Sequence, residues 1–419
     1  MPSPEPVPSS LLSQKSAATV RATLPVVAEA IGTVSDVFYR RMFTAHPELL
    51  RNLFNRANQA SGTQARALAG SVAAYATALV TPGKDADGML RRIAHKHASL
   101  GVAPAQYDVV HEHLFGALGE VLGDAATDEV VAAWDEVYWR MARTLIDSER
   151  ALYARHGVLT GATWRQWEVV ERIQETPEAV TFRIRPADGR AAPHFSAGQY
   201  ISVQAELPDG ARQIRQYSLT GVPGDPVHSF TVKRELPEGG VAGEVSHQLH
   251  DQVREGCTLT VSAPYGDLVL ETEAAEDTET ALLFASAGIG CTPFHSMLHH
   301  LVAQGHQGSV LALHADRSPA THALRAERER LVTKLAEARS YVWYEHADEP
   351  AADSADDSAA EWRTGRMDLS GLELPERVRA YLCGPLPFMR GVRDQLLARG
   401  VPAGDIHYEV FGPDLWLAR

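Results

Sequence analysis

Two changes of hydrophobic period along the 419 residues predict a multidomain fold: an all-α unit, an antiparallel β-barrel and a doubly wound α/β unit. Residues 11–156 repeat apolar positions at helical spacing. From Trp164 apolar and polar residues alternate, with Gly, Pro and Asp turns between short runs. From about Glu279 short apolar runs alternate with helical stretches. The expected domains are therefore 1–158, 159–273 and 274–419, with a frayed Pro/Ser-rich start and a small, uncharged linker at 157–162.

Composition narrows the function classes. With 45% hydrophobic and 22% charged residues the chain has the make-up of a folded protein. A net charge of −14 disfavours nucleic acid and anionic membranes as partners. No uninterrupted apolar run reaches membrane-spanning length, and the first residues lack the basic-then-apolar order of a secretory signal. Cys257, Cys291 and Cys383 are odd in number and far apart, which argues against a disulfide framework and for a reducing cytoplasm. A monomer is expected.

In the helical part Arg40-Arg41-Met42-Phe43 closes one helix, and Pro47 starts the next ahead of Leu49, Leu50, Leu53 and Phe54. Leu90, Ile93, His97 and Leu100 share a helical face, so His97 is expected inward and His95, about 200° away, toward solvent. An inward imidazole is either a packed core histidine or a ligand for a buried cofactor. The haem-ligand reading unites His97 with the aromatic stretch near Phe54 and a flavin-type Arg-x-Tyr-Ser run further on.

Barrel strands are expected at 181–184, 200–203, 230–233 and 257–261. In Ile214-Arg215-Gln216-Tyr217-Ser218-Leu219-Thr220, Arg215 and Tyr217 share a strand face. A guanidinium suits a pyrophosphate, and Tyr217 and Ser218 suit an isoalloxazine and its ribityl chain; an exposed strand edge is the alternative. Val245-Ser246 opens a helix with Ser246 as expected N-cap, either an anion site or a plain cap.

In the last part apolar runs at 281–285, 310–314, 341–344, 380–383 and 406–410 read as strands. Ser286-Ala287-Gly288-Ile289-Gly290-Cys291-Thr292-Pro293 follows the first and opens a helix. Pro293 replaces the third glycine of a Rossmann fingerprint, but Gly288 and Gly290 still permit a tight turn close to a diphosphate. Cys383-Gly384-Pro385 ends a strand, bordering a nicotinamide or serving only as a turn. The helix from Pro387 carries Met389, Val392, Leu396 and Leu397 on one side and ends at Gly400. Residues 347–361 read as a solvated loop.

The order of barrel, Gly-x-Gly-x-Thr-Pro and Cys-Gly-Pro resembles the ferredoxin–NADP reductase superfamily. The resemblance implies FAD in the barrel and NADH or NADPH in the α/β domain. It places Tyr200, Gln216, Val245, Ile289, Cys291 and Thr292 in cofactor-binding stretches, and Val410, Phe411, Gly412 and Pro413 likewise, with Phe411 over the flavin ring. With the helical unit added, residues 11–413 resemble the flavohaemoglobins. That likeness implies haem b, with His97 as proximal iron ligand and Tyr107 and Glu149 as its partners. It assigns Tyr39, in Phe38-Tyr39-Arg40-Arg41-Met42-Phe43, as donor to bound O2, Phe54 as an aromatic wedge, and Gln64 and Leu68 as distal residues. Lys96 and Glu409 correspond to an ion pair between the haem and flavin sides.

The implied activity is NO dioxygenation: NAD(P)H reduces FAD, FAD reduces haem, and the ferrous–O2 haem oxidises NO to nitrate. Reduction of peroxides or lipid hydroperoxides is an alternative, as is an oxygen-binding or sensing globin with a self-reducing module. Leu236-Pro237-Glu238 lengthens the loop before Gly239-Gly240 relative to the family, and the tail 414–419 has no assignment. His314-Ala315-Asp316-Arg317 offers both an acid and a cation near an adenosine ribose, which leaves NADH against NADPH open.

Overall fold

The computed structural model describes residues 12–235, 243–346 and 360–412. These form two compact units, a helical one within residues 12–161 and a second covering 162–412. The expected features at 1–10, 236–240, 347–359 and 413–419, Pro413 included, lie outside the described residues.

The helical unit comprises α1 (Gln14–Ala45), α2 (Pro47–Asn52), α3 (Arg56–Ala60), α4 (Thr63–Val80), α5 (Arg91–Leu100), α6 (Ala105–Leu122) and α7 (Asp128–Arg155). The Ser13 side chain caps α1 by accepting from the Ser16 N–H. α1 ends before Pro47, which opens α2 from its first turn as the sequence predicts. By length and composition α1 is apolar enough to cross a membrane. Its buried Val20, Val27, Ile31, Val34, Phe38 and Met42 recur at helical spacing, and the helix packs against α4, α6 and α7. Thr127 caps α7, whose Trp134, Tyr138, Leu145, Glu149 and Leu152 are buried.

α5 follows expectation for His97, whose ring reaches the buried Tyr107 and Glu149, and departs from it at other positions. Its fully buried side chains are Ala94, Ala98 and Ser99, continuing from Leu90, while Ile93, His97 and Leu100 are half-buried. His95 is half-buried too, not turned out to solvent.

In the second unit β1 (Arg165–Thr176), β2 (Ala179–Pro186), β3 (Tyr200–Glu206), β4 (Arg212–Ser218), β5 (His228–Lys233) and β6 (Thr258–Val261) form a sheet in the order β4-β3-β6-β1-β2-β5. Every neighbouring pair is antiparallel. A bridge between Leu219 and Phe230 joins the two edges and closes the sheet. Its interior holds Trp167, Phe182, Phe195, Phe230 and Leu259, and α8 (Glu244–Gln252) adds Val245 and Leu249. Those two side chains, one turn apart, seat α8 on the barrel, and the helix starts earlier than predicted. Gly243 occupies the cap position, and Ser246 lies within the first turn. The Ser246 hydroxyl donates to the Gly243 carbonyl and accepts from the Glu235 N–H, both at 3.0 Å.

After α9 (Thr272–Glu276) come β7 (Ala281–Ala287), α10 (Thr292–Gln304), β8 (Ser309–Asp316), α11 (Arg325–Val332), β9 (Glu337–Tyr344), β10 (Ala360–Thr364), β11 (Val378–Cys383), α12 (Leu386–Ala398) and β12 (Ile406–Glu409). The strands are parallel in the order β10-β9-β8-β7-β11-β12. Chain order therefore reverses between β7 and β11. Residues 360 and 361, expected in a loop, begin β10. This strand pairs along one side only and is polar, which hides it from a search for apolar runs. Barrel-side Ala197, Leu268 and Leu270 share a core with Leu282 and Phe284 of β7 and with Phe294 and Met297 of α10. Gly198 donates its N–H to the Ser296 hydroxyl at 2.8 Å across the same contact.

Two buried histidines make this unit sensitive to acid. His228 is 1% exposed, with the rings of Trp167 and Phe195 at 4.9 and 5.1 Å, and His295 lies inside α10 at 1%. Burial pushes both imidazoles down to about 4. The unfolded chain thus binds more protons than the folded one between about pH 6.5 and 4, so stability is full above pH 6.5 and falls through that window. The expected loss is roughly 2–3 kcal/mol per site, read from urea midpoints at pH 7 and pH 4.5. His228→Leu and His295→Leu should each flatten the profile.

Candidate functional site

α5, α6 and α7 bring His97, Tyr107 and Glu149 together. The His97 Nδ1 lies 2.9 Å from both the Tyr107 hydroxyl and the Glu149 Oε1, and the Tyr107 hydroxyl donates to the same Oε1 at 2.5 Å. Glu149 is 2% exposed, so an ionised carboxylate there depends on these donors. The consistent assignment is Nδ1–H shared between the two oxygens, which leaves Nε2 as the acceptor nitrogen. Burial, then the Glu149 charge, holds the Tyr107 phenol far above its usual titration range. The backbone around the triad is tied as well. Tyr138 donates to the Tyr107 carbonyl at 2.6 Å, and Tyr153 to the Val102 carbonyl at 2.9 Å.

Tyr39 lies buried on α1 among aromatic rings. Phe54 stands edge-on to it at 5.8 Å, Phe43 stacks at 5.6 Å, and Phe43 and Phe54 meet edge-on at 5.3 Å. Burial raises the Tyr39 phenol well above its ordinary value, while the amides of Gln64 and Gln59 pull the other way. Tyr39 is thus a proton donor throughout the physiological range. Gln64 and Leu68, one turn apart on α4, are both half-buried. Gln59 escaped sequence reasoning. Its one signal was the turn Gln59-Ala60-Ser61-Gly62 that doubles the chain back into α4, where Gly62 adopts φ +66°.

On the barrel, Tyr200 pairs with Ser218 and Ser202 with Gln216 across β3 and β4. The Gln216 amide donates to the Ser202 hydroxyl at 2.9 Å. Arg215, Gln216 and Tyr217 are half-buried and Ser218 is buried. The Tyr217 ring packs on Phe230 at 5.4 Å, and burial raises its phenol. Val245 and Ser246 are engaged in the barrel core and in the Gly243 turn described above.

On the α/β sheet, the Gly288–Pro293 loop follows β7 and the Cys383–Gly384 corner follows β11, so the two flank the reversal of strand order, where open α/β sheets bind ligands. Gly288 adopts φ +53°. A Cβ on Gly290 would run into the Cys383 carbonyl, with its carbon at 2.6 Å and the Gly384 nitrogen at 2.8 Å. The glycine thus serves an approach of backbone to backbone. Ile289 is half-buried, its carbonyl accepting from the Thr292 hydroxyl at 3.0 Å, and Pro293 falls in the first turn of α10. Cys291 is buried, its thiol pushed up to about 12 by burial and by Asp316. Asp316 turns inward, accepting from the Arg317 N–H and the Thr321 hydroxyl, while the Arg317 side chain pairs with Glu178 at 2.6 Å.

Other expected site residues are spread over the two units. Lys96 is half-buried on α5; Glu409 is buried at the end of β12, its Oε1 accepting from the Val410 N–H at 3.0 Å. Val410 is half-buried, and Phe411 and Gly412 are exposed.

Two family models match, Globin over residues 36–145 and the oxidoreductase NAD-binding domain over 284–394. A flavohemoprotein from Rhizobium meliloti is 40% identical, with 97% of this chain and 100% of that protein covered. The chain belongs to the flavohaemoprotein family. A second flavohemoprotein, from Bordetella pertussis, is 42% identical over 96% of this chain and 99% of its own. Among solved structures, a flavohemoglobin from Malassezia yamatoensis, with bound FAD and heme, superposes with a TM-score of 0.86 at 38% identity, covering 96% of this chain and 100% of that one. The FAD/NAD-binding domain of a Vibrio cholerae nitric oxide dioxygenase covers 60% of this chain and 100% of its own at a TM-score of 0.53 and 37% identity.

In this flavohaemoprotein Gly290→Val should displace the 383–384 backbone and destabilise the 162–412 unit by about 1–3 kcal/mol, read from urea unfolding of tryptophan fluorescence. The helical unit should melt as in the parent.

Proposed function

We propose that the protein is an NAD(P)H-dependent nitric oxide dioxygenase that carries haem b, FAD and NADH or NADPH. Haem supplies an iron at which O2 and NO are converted to nitrate, and FAD splits a hydride's electron pair into single electrons. The observation that carries the reading is the hydrogen-bonded His97–Tyr107–Glu149 set in a chain that also holds a complete reductase unit.

His97 fits an iron ligand because its Nδ1 is committed and its Nε2 remains as the donor atom. A carboxylate on the far nitrogen raises the basicity of the ring, which suits oxygen activation better than reversible storage. On the distal side the buried Tyr39 keeps its proton and offers it as a hydrogen bond to a ligand that gains negative charge. Phe54 and Leu68 exclude water, and Gln64 acts on the Tyr39 hydroxyl. For FAD, Arg215 provides a cation for the pyrophosphate, with Tyr217 and Ser218 beside it on β4. For the dinucleotide, the Gly288 turn and the Cys383–Gly384 corner form the walls of the cleft at the strand reversal. The free cysteines Cys257, Cys291 and Cys383 support a cytoplasmic setting.

The same buried carboxylate supports a second reading, reduction of peroxides, which aerobic NO consumption with one nitrate formed per NO would set aside. His97→Ala should abolish the ferrous haem spectrum and leave the flavin bound, as absorbance spectra will show. Tyr39→Phe removes one charge-assisted donor, so O2 release should accelerate about 10- to 100-fold, with CO release changing less. Equal changes for the two gases would mean a steric role for Tyr39.

A further inference from the structure

In a dinucleotide fold the end of the strand after the Gly-rich turn discriminates between the two nicotinamide nucleotides. An acid there accepts from a ribose 2′-hydroxyl, and an arginine accommodates a 2′-phosphate. β8 is that strand, because it follows β7, the Gly288 turn and α10 and lies beside β7 in the sheet. Asp316 ends it and Arg317 follows, so one residue of each kind stands at the same place.

Both are already engaged. The buried Asp316 accepts from the Arg317 N–H at 2.7 Å and the Thr321 hydroxyl at 2.6 Å, and the His314 Nε2 lies 3.4 Å from its Oδ2. The Arg317 backbone is fixed on its other side too, its carbonyl accepting from the His346 N–H at 2.8 Å. Its half-exposed side chain runs to the barrel, where Nη2 donates to the Glu178 Oε2 at 2.6 Å. Glu178 sits in the turn between β1 and β2. Its carbonyl accepts from the Arg234 N–H at 2.7 Å, and its N–H donates to the Thr176 hydroxyl at 3.3 Å. The Lys233 Nζ stands 3.8 Å from the same Oε2. As a source of stability such a partly exposed cluster counts for little. Its consequence is electrostatic: the carboxylates of Asp316 and Glu178 balance the cations of Arg317 and Lys233 at the end of β8.

We propose that Glu178 sets the dinucleotide preference of the cleft: its carboxylate holds the guanidinium that a 2′-phosphate needs and repels that phosphate, so the chain takes NADH and rejects NADPH. A ribose 2′-hydroxyl carries no charge and meets neither obstacle. The determinant lies on the barrel, 139 residues before the arginine it controls, and not on the strand that carries the choice in the general rule. This rests on the dinucleotide reading of the cleft given above.

The test is calorimetric titration of the full chain, loaded with haem and FAD, with NAD+ and with NADP+. The readout is the ratio of the two affinities. The parent should bind NAD+ about 10-fold or more tightly than NADP+. Glu178→Gln, which keeps the shape and frees the guanidinium, should shift that ratio toward NADP+ by about 10-fold. Adding Arg317→Ala to Glu178→Gln should bring the ratio back to within about 3-fold of the parent, because the freed cation is gone. A parent that binds both nucleotides equally, an unshifted ratio in Glu178→Gln, or a shift that survives Arg317→Ala would each overturn the proposal. A parent that binds neither nucleotide would instead overturn the underlying reading of the cleft.

Discussion

A single buried carboxylate organises the helical unit. Glu149 lies at 2% exposure on the longest helix after α1 and accepts from a phenol on α6 and an imidazole on α5. An ionised carboxylate without donors would be intolerable at that depth, so the three helices must meet at these atoms. The same bonds set the ring plane and tautomer of His97. Stability and chemistry thus share one constraint: whatever satisfies Glu149 also directs the Nε2 of His97.

In the second unit the equivalent constraint is steric. Strand order reverses between β7 and β11, and the absence of a Cβ on Gly290 lets the corner after β11 come close to the loop after β7. The core shared by the barrel and the α/β sheet, with the Gly198–Ser296 hydrogen bond, holds two sheets of different construction as one body. Hydride transfer from a nicotinamide to a flavin tolerates little error in distance, so a reductase unit requires such rigidity.

The distal cluster shows a third principle. Aromatic packing of Phe43 and Phe54 dries the surroundings of Tyr39, and drying keeps the phenol protonated.

Local chemistry was legible in the sequence. Pro47 at a helix start, the Gly288 turn ahead of Pro293, the change of period at Trp164 and the alternation of strands and helices after Glu279 each follow from backbone or periodicity rules that act over a few residues. Tyr107 and Glu149 were legible only through resemblance, because residues 42 apart share no local rule. Where packing decided, the local reading failed. α5 kept His97 inward but left His95 half-buried, Ser246 yielded the cap to Gly243 because Val245 and Leu249 seat α8, and polar β10 gained its place from a single neighbour, β9. The meeting of His97, Tyr107 and Glu149 from three helices exists only once the chain has folded, because contact free energy depends on three-dimensional neighbours and not on spacing along the sequence.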